Sequence, residues 1–557
     1  MSSSDLEAKH GYTTNEAQLM KEVTNVSEFK EHHVHGTVDP NRVEAEVTFK
    51  AYMMCAFASF GGIFYGYDSG YISGVMGMEY FIDTFDKSQR GKPKSEKDLP
   101  SSQKSLITSI LSAGTFFGAL MAGDLADWYG RRLTIIAGCV IFCIGDALQI
   151  ASSGVPLLVV GRLISGFGVG FVSATIVLYM SEIAPRKVRG ALVSGYQFCI
   201  TIGLLIAACV NYGTQNLKTS ASYRIPIGLQ LIWAFILAAG LFFLPESPRY
   251  FVKKANIEKA REVLVRLRDQ PVGSEQVEDE LAEIVANNEI ESKLIPQGSY
   301  LKTWTACFSG SIKHGSSNLR RTLLGIGLQM MQQMTGVNFI FYFGTTFFQQ
   351  LGTIKNPFLI SLITTLVNVC STPVSFWTVE RFGRRPILIW GAVGMAICEF
   401  VAAIIGTVKA DDDNAMKAVI SFICIYIFFF ASTWGPCAWV TVGEVFPLPI
   451  RARGVALSTA SNWFWNCIIT VITPYMVGTD QGNLGAKVFF VWGSTCTGCI
   501  IFAYFLVPET KGLTLEQVDR LLEETHPRNS SKWRPNTTYA QEVGLVDDLK
   551  TGVDHRA

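Results

Sequence analysis

Charge is scarce in this chain: Asp, Glu, Lys and Arg make up 17% of 557 residues, whereas 49% are hydrophobic. A soluble globular chain of this length carries more charge than that, so that class is excluded. Histidine is scarcer still, and none of the seven falls inside an apolar run, which argues against a histidine proton relay. The first 48 residues have no apolar core behind a basic start, so no cleavable signal peptide is expected and the first apolar run acts as an uncleaved signal. No nucleotide loop, metal-ligand cluster or nucleophile with its base stands out, so the chain does not read as an enzyme, and no metal or cofactor is expected. A net charge of +1 offers nothing to a nucleic acid. Cysteine is plentiful, but twelve of the thirteen lie in apolar runs and the other, Cys307, lies in a central loop, so small-hydrophobe use is expected and a disulfide framework is not.

What is present is a series of twelve apolar runs of 18 residues or more, at about 51–75, 104–124, 133–153, 156–178, 190–211, 224–244, 322–348, 357–378, 386–408, 418–443, 453–477 and 486–507. The expected class is an all-α membrane protein. Short loops on one side are basic: Arg131 and Arg132; Arg186, Lys187 and Arg189; Arg381, Arg384 and Arg385; Arg451 and Arg453. The positive-inside rule puts these loops and both termini in the cytoplasm. The sequons at Asn25, Asn529 and Asn536 then lie on the unglycosylated side.

One run carries amides where aliphatics are usual: QMMQQMTGVNFIFYFG, 329–344. An unpaired amide in hydrocarbon costs several kcal/mol, so Gln332, Gln333 and Asn338 should face a polar cavity inside the protein. Gln329, Gln332 and Gln333 share a helical face, and Asn338 rejoins it only if the helix breaks, as Gly336 permits.

Three signatures on the basic side occur twice: DLADWYGRR and VERFGRR, EIAPRKVRG and EVFPLPIRARG, PESPR and PETKG. Their offsets, 253, 262 to 264 and 263 residues, mark two copies of a six-helix unit in the same orientation, with a ligand site where they meet. The expected division is a tail 1–50, a first half 51–244, a linker 245–321, a second half 322–507 and a C-terminal segment 508–557. Amphipathic patterns at 257–269 and 276–292 suit a cytoplasmic helical layer. Thr514 with Gln517 reads as a capping box opening a helix to about Glu524, and disorder is expected beyond Thr525.

With GYDSG, DLADWYGRR, VGRLISGFGVG, EIAPRKVRG, PESPR, QQMTGVNFIFYFG, VERFGRR, GPCAWVTVGEVFP, SNWFWN and PETKG in order across 51–525, the chain resembles the sugar porters of the major facilitator superfamily, and among them the fungal monosaccharide transporters. The resemblance implies two six-helix halves that alternate in access around a central sugar. It assigns sugar contacts to Gln197, Gln332, Gln333, Asn338, Asn368 and Asn462, and face packing on the sugar to Trp439. An interhelical hydrogen bond is the competing role for each amide. In many members a second tyrosine follows Tyr342, closing over the sugar from outside; here it is Phe343, one hydroxyl fewer.

Four charges stand clearly inside the apolar runs: Asp68, Asp146, Arg162 and Glu399. Asp68 and Arg162 reach similar depth and are placed to pair. Proton-coupled members carry a carboxylate at the Asp68 position, which points to symport; yeast hexose facilitators keep an aspartate in a similar motif, so a static ion pair stays open. Asp146 and Glu399 read as helix–helix contacts or cavity-edge residues. The resemblance further implies a gate in which Arg131, Arg132, Glu182, Arg189 and Glu246 of the first half pair across to Arg384, Arg385, Glu444, Arg453 and Glu509 of the second, at about 1 kcal/mol each. The function implied is plasma-membrane uptake of glucose and related hexoses, or of a pentose such as xylose, with a proton as co-substrate. The alternatives are an uncoupled facilitator and a sugar sensor, which the short tail after Pro508 disfavours. Lipid is the surrounding partner, and a monomer suffices.

Overall fold

The computed structural model describes residues 49–535 apart from 91–96, 98, 186–187, 295–299, 313–316, 351–355, 410–411 and 479–480. Most of the expected N-terminal tail, the basic pair Arg186 and Lys187, the sequons at Asn25 and Asn536 and the end of the C-terminal tail lie outside the described residues.

The described elements are helices: α1 Phe49–Ser59, α2 Gly61–Met76, α3 Glu79–Phe85, α4 Ser101–Trp128, α5 Arg131–Ala151, α6 Val155–Ile183, α7 Arg189–Thr214, α8 Ala221–Gly228, α9 Gln230–Leu241, α10 Pro248–Lys253, α11 Ile257–Arg268, α12 Glu275–Leu294 and α13 Tyr300–Thr305. The second half follows with α14 Asn318–Met334, α15 Val337–Gln350, α16 Pro357–Ser371, α17 Val374–Phe382, α18 Arg384–Val408, α19 Asp413–Ser432, α20 Trp434–Val445, α21 Arg451–Val477, α22 Val488–Leu506 and α23 Leu515–Glu524, beside short single turns. Among the described residues nine stretches are long and apolar enough to cross a bilayer, or ten if α16 and α17, bent by 42°, are one span. The other two expected spans, 51–75 and 322–348, are each divided into two shorter helices, at Phe60 and at Thr335–Gly336.

Helices in lipid approach one another through small residues, and here α2 lies directly on α7. A Cβ on Gly62 would stand 2.3 Å from the Tyr196 carbonyl oxygen, and one on Gly66 2.0 Å from that of Ile200. The first six-helix set meets the second along α4 against α21, and α7 against α16 and α20.

The duplicated glycine–arginine turns share one construction. Gly130 and Gly383 sit at φ 96° and 91° and open α5 and α18. Glu246 accepts from the backbone N–H groups of Arg131 and Arg132 at 3.0 and 3.1 Å, and Glu509 accepts from those of Arg384 and Arg385 at 3.0 and 3.2 Å. A carboxylate thus caps each helix N-terminus.

On the basic end, α11 and α12 pack through Leu264, Leu281 and Val285 onto Val252 and onto Leu448 of the second half. Thr514 and Gln517 form the capping box that opens α23, which ends at Glu524. The expected disorder immediately beyond Thr525 is corrected: the Ser530 hydroxyl donates to the Pro527 carbonyl at 2.6 Å and accepts from the Glu509 backbone N–H at 2.8 Å, and Trp533 donates to Glu524. The aromatic and hydroxyl groups at 530–533 supply the contacts that a purely polar tail would lack.

Candidate functional site

The break at Gly336 builds the site. Gly336 has φ 81°, and a Cβ there would meet Trp492 at 2.6 Å, so only glycine fits. The chain turns between α14 and α15, and Asn338 comes back onto Gln333, to whose side-chain oxygen it donates. Gln332 points the other way and donates to the carbonyl oxygens of Trp434 and Gly435 at 3.2 and 2.8 Å, where Thr433 separates α19 from α20.

Gln197, Gln332, Gln333, Asn338, Asn368 and Trp439 line one cavity of about 50 Å³ at the seam between the halves. Tyr65, Ser69, Phe341, Tyr342 and Phe430 also line it, with the aliphatic Ile200, Leu204 and Val337. Trp439 is held by the edge of Tyr196, the rings 5.8 Å apart and perpendicular. Two buried polar atoms here have no hydrogen-bond partner in the protein, the two ends of the Asn368 amide. Each such atom costs about 1–3 kcal/mol unless something bonds it. Neutral donors and acceptors in this number suit a neutral ligand rich in hydroxyls, and an amide bridges neighbouring hydroxyls without bringing a charge.

Two residues depart from the expected set. Asn462 is fully buried behind the wall, where it donates to Gln329 and Gln332 at 2.7 and 2.9 Å; its place on α21 turns it toward α14 rather than into the cavity. Phe343 is buried away from the cavity, and Phe341 takes its place beside Tyr342, because the turn at Gly336 sets the phase of α15. Tyr65 and Ser69 were not singled out in the sequence, although they stand one turn before and one residue after Asp68 on α2.

Asp68 and Arg162 are both fully buried, yet the expected pair is not formed. Arg162 donates to the Ile107 carbonyl at 2.8 Å and to the Tyr71 hydroxyl at 2.5 Å. Tyr71 in turn donates to Gln149 at 2.7 Å. Neither carboxylate oxygen of Asp68 has a hydrogen-bond partner. Asp146 accepts from Gln230 at 3.2 Å, which fits a helix contact, while one Glu399 oxygen is unpartnered.

The expected crossing of arginine–glutamate pairs between the halves is also corrected. Arg131 pairs with Glu182, and Arg384 with Glu444, each at 2.8 Å and each within its own half; Glu246 and Glu509 serve the helix caps described above. Repetition of the motifs reflects repetition of the fold, so each copy closes on itself. Two of the expected gate arginines, Arg453 and Arg189, do cross the seam, but to partners other than the expected glutamates, and further groups cross beside them. Arg453 reaches Asp124 at 2.9 Å and Asp127 at 3.4 Å, Arg249 reaches Glu516 at 3.0 Å, Glu380 accepts from the Ala191 N–H at 3.0 Å, and Arg189 bonds the Leu513 carbonyl at 3.3 Å. Asp124 and Asp127 stand three apart in DLADWYGRR, a spacing that puts both on one helix face and was the available signal. Glu516 is held with its pKa near 2: burial works to raise it, but Arg249 and Arg451 outweigh burial.

Residues 54–522 match the family model described as sugar (and other) transporter. The major facilitator-type transporter ecdD of Aspergillus rugulosus is 45% identical over 498 residues, covering 87% of this chain and 90% of that protein. The probable glucose transporter rco-3 of Neurospora crassa is 44% identical over 512 residues, 89% and 84% of the two chains. Among solved structures, the proton:xylose symporter XylE of E. coli bound to 6-bromo-6-deoxy-D-glucose superposes with a TM-score of 0.72 at 25% identity, covering 85% of this chain and 99% of that one. The match spans both helical halves and the seam between them, and the chain accordingly belongs to the sugar transporter family, a multi-pass membrane carrier of the major facilitator fold and not an enzyme.

Proposed function

We propose that the protein takes up glucose and related monosaccharides, hexoses or xylose, across the plasma membrane by alternating access, one proton entering with each sugar through Asp68. The observation that carries the reading is the cavity at the seam, ringed by amides with polar atoms left for a ligand, beside a buried carboxylate that no protein group hydrogen-bonds. Gln197, Gln332, Gln333, Asn338 and Asn368 bond the sugar hydroxyls, and Trp439 packs on its C–H face. Asn462 acts by holding Gln329 and Gln332 in place. A pyranose needs more room than about 50 Å³, so α15 swings outward about Gly336 to admit it, carrying Phe341 and Tyr342.

The basic end faces the cytoplasm, with both termini, and the ion pairs of Arg453 and Arg249 keep that side shut while the outside opens. Coupling follows from the carboxylate. An unpartnered Asp68 inside the bilayer is costly as an anion, so closure over the site favours the protonated form, and contact with water or Arg162 favours release. At ~100 mV and ~1 pH unit, one proton supplies about 3.7 kcal/mol, enough for an accumulation of several hundredfold. A monomer in lipid is sufficient.

The test is radiolabelled glucose uptake in transporter-deficient cells, native chain against Asp68→Asn, with and without a protonophore. Protonophore-sensitive accumulation by the native chain, reduced to equilibration in the variant, supports symport. Equilibration by the native chain regardless of protonophore makes it a facilitator. Sugar binding without flux of any sugar makes it a sensor.

A further inference from the structure

A second cavity, about 340 Å³, opens where α14 begins and α22 ends. Leu323 and Leu324 of α14, Leu506 of α22 and Leu522 of α23 form its apolar wall, with Arg320 and His526 at the rim. The apolar run 322–348 begins here and the run 486–507 ends here, so the cavity stands at the depth of the lipid headgroups. Leu323 and Leu506 are 43% and 51% exposed, an aliphatic mouth that faces lipid and not water.

The cations around this mouth are unequal. Arg321 is buried and committed, one guanidinium nitrogen 2.5 Å from the Asp519 carboxylate and another 3.2 Å from the Asp519 carbonyl, with Glu523 at 3.9 Å. Asp519 and Glu523 of α23 are thus turned to Arg321. Its neighbour Arg320 is half-buried, and among the described residues its side chain makes no hydrogen bond or ion pair, nor does that of His526. Arg528 lies over the Phe505 ring, 4.6 Å from the centroid, and over Tyr504 at 5.6 Å, with no carboxylate partner among the described residues. A cation half withdrawn from water beside a second cation is stabilised by an anion, and the aliphatic mouth requires that the anion bring a hydrocarbon chain.

We propose that this cavity holds an anionic phospholipid of the cytoplasmic leaflet, its phosphate among Arg320, His526 and Arg528 and an acyl chain along Leu323 and Leu506. The proposal rests on the cytoplasmic placement of the basic end, and not on the identity of the sugar. A lipid seated there joins the start of α14 to the end of α22 and to the segment after α23.

Native mass spectrometry of the full chain, released from micelles holding equal phosphatidylserine and phosphatidylcholine, tests it. The native protein is expected to keep the anionic lipid in preference, by about fivefold for each cation that takes part. Arg320→Gln with His526→Gln and Arg528→Gln is expected to keep the two lipids equally. Leu506→Trp, which fills the mouth and leaves every charge in place, is expected to lose the retained lipid, and serves where the triple variant does not fold. Equal retention by the native protein, an undiminished preference in the triple variant, or displacement of the lipid by inorganic phosphate alone would overturn the proposal, the last by making the site one for a soluble anion. Glucose uptake by the same preparations reports separately on the sugar reading.

Discussion

The Arg453 guanidinium on α21 donates to Asp124 on α4 at 2.9 Å, and this contact ties the second six-helix set to the first at the basic end. Both side chains are more than nine-tenths buried, and Asp127 receives a second nitrogen of the same guanidinium at 3.4 Å. Breaking such a contact leaves a charge at the seam without its partner. Asp124→Asn and Arg453→Ala are each expected to shift the population toward the inward-open state by about 1–3 kcal/mol, roughly five- to 150-fold. The half-saturation for external glucose rises accordingly at unchanged surface expression. Asp124→Arg combined with Arg453→Asp should restore much of the loss, which a residue serving only to orient the spans would not do.

Tyr71 decides what Arg162 touches. Its hydroxyl accepts from one Arg162 nitrogen and donates to Gln149, so that nitrogen is engaged away from Asp68. Removing that hydroxyl in Tyr71→Phe frees Nη1 of the guanidinium beside Nη2, which is already unpartnered, and the Asp68 carboxylate is the acceptor available to them. A locked ion pair then withholds Asp68 from the proton. Accumulation is expected to fall severalfold while sugar exchange persists, and an unchanged accumulation ratio would show that Tyr71 has no part in coupling.

The depth of legibility in the sequence differs from layer to layer. Amides in an apolar run required an interior polar cavity, and Gly336 gave Asn338 the break it needed to face Gln333; the cavity contains both. The Thr514 capping box was legible because it is purely local. Pairing was not. Asp68 and Arg162 lie at matching depth, but depth says nothing of the third group between them, and Tyr71 was hidden among other aromatics of α2. The arginine–glutamate signatures read as cross-seam contacts, yet a carboxylate that caps its own helix N-terminus, as Glu246 and Glu509 do, has the same sequence pattern. Only the fold distinguishes the two.

The caps have their own consequence. At Gly130 a Cβ would stand 2.4 Å from a Glu246 oxygen, and at Gly383 2.3 Å from one of Glu509, with both residues at positive φ. Gly383→Ala is therefore strained in its backbone and displaces the capping carboxylate, a loss of about 2 kcal/mol or more. Surface expression and thermal stability in detergent are expected to fall together. Glu509→Gln, which keeps the shape and loses the charge, should cost less, about 1 kcal/mol.

Asn462 and Gln333 separate support from contact. Gln333→Ala removes a group facing the cavity, so the half-saturation for sugar is expected to rise about three- to tenfold for each hydrogen bond lost, at nearly normal stability. Asn462→Ala instead leaves the side-chain oxygens of Gln329 and Gln332 unpartnered in the interior, where each costs about 1–3 kcal/mol. Thermal stability is expected to drop along with affinity. If Asn462→Ala weakened sugar binding and left stability intact, Asn462 would be a direct ligand after all.

Glu516 gives the fold an acid limit. Its pKa is held near 2, against an ordinary value of 4.5, because Arg249 and Arg451 outweigh the cost of burial. A carboxylate depressed in the folded state contributes stability that is fully present above about pH 4.5 and is lost as pH falls through the folded value. The difference corresponds to ~3 kcal/mol at most. Purified full-length protein should accordingly keep a constant melting temperature from pH 8 to 5, as far as this pair is concerned, and weaken from about pH 4.5 downward. Glu516→Gln is expected to melt lower at pH 7 and to show a shallower acid slope, since it has no carboxylate left to protonate. An identical acid slope in the variant would place the loss at other carboxylates, and a native chain already weakening between pH 7 and 5 would mean that Arg249 and Arg451 do not hold Glu516 ionised.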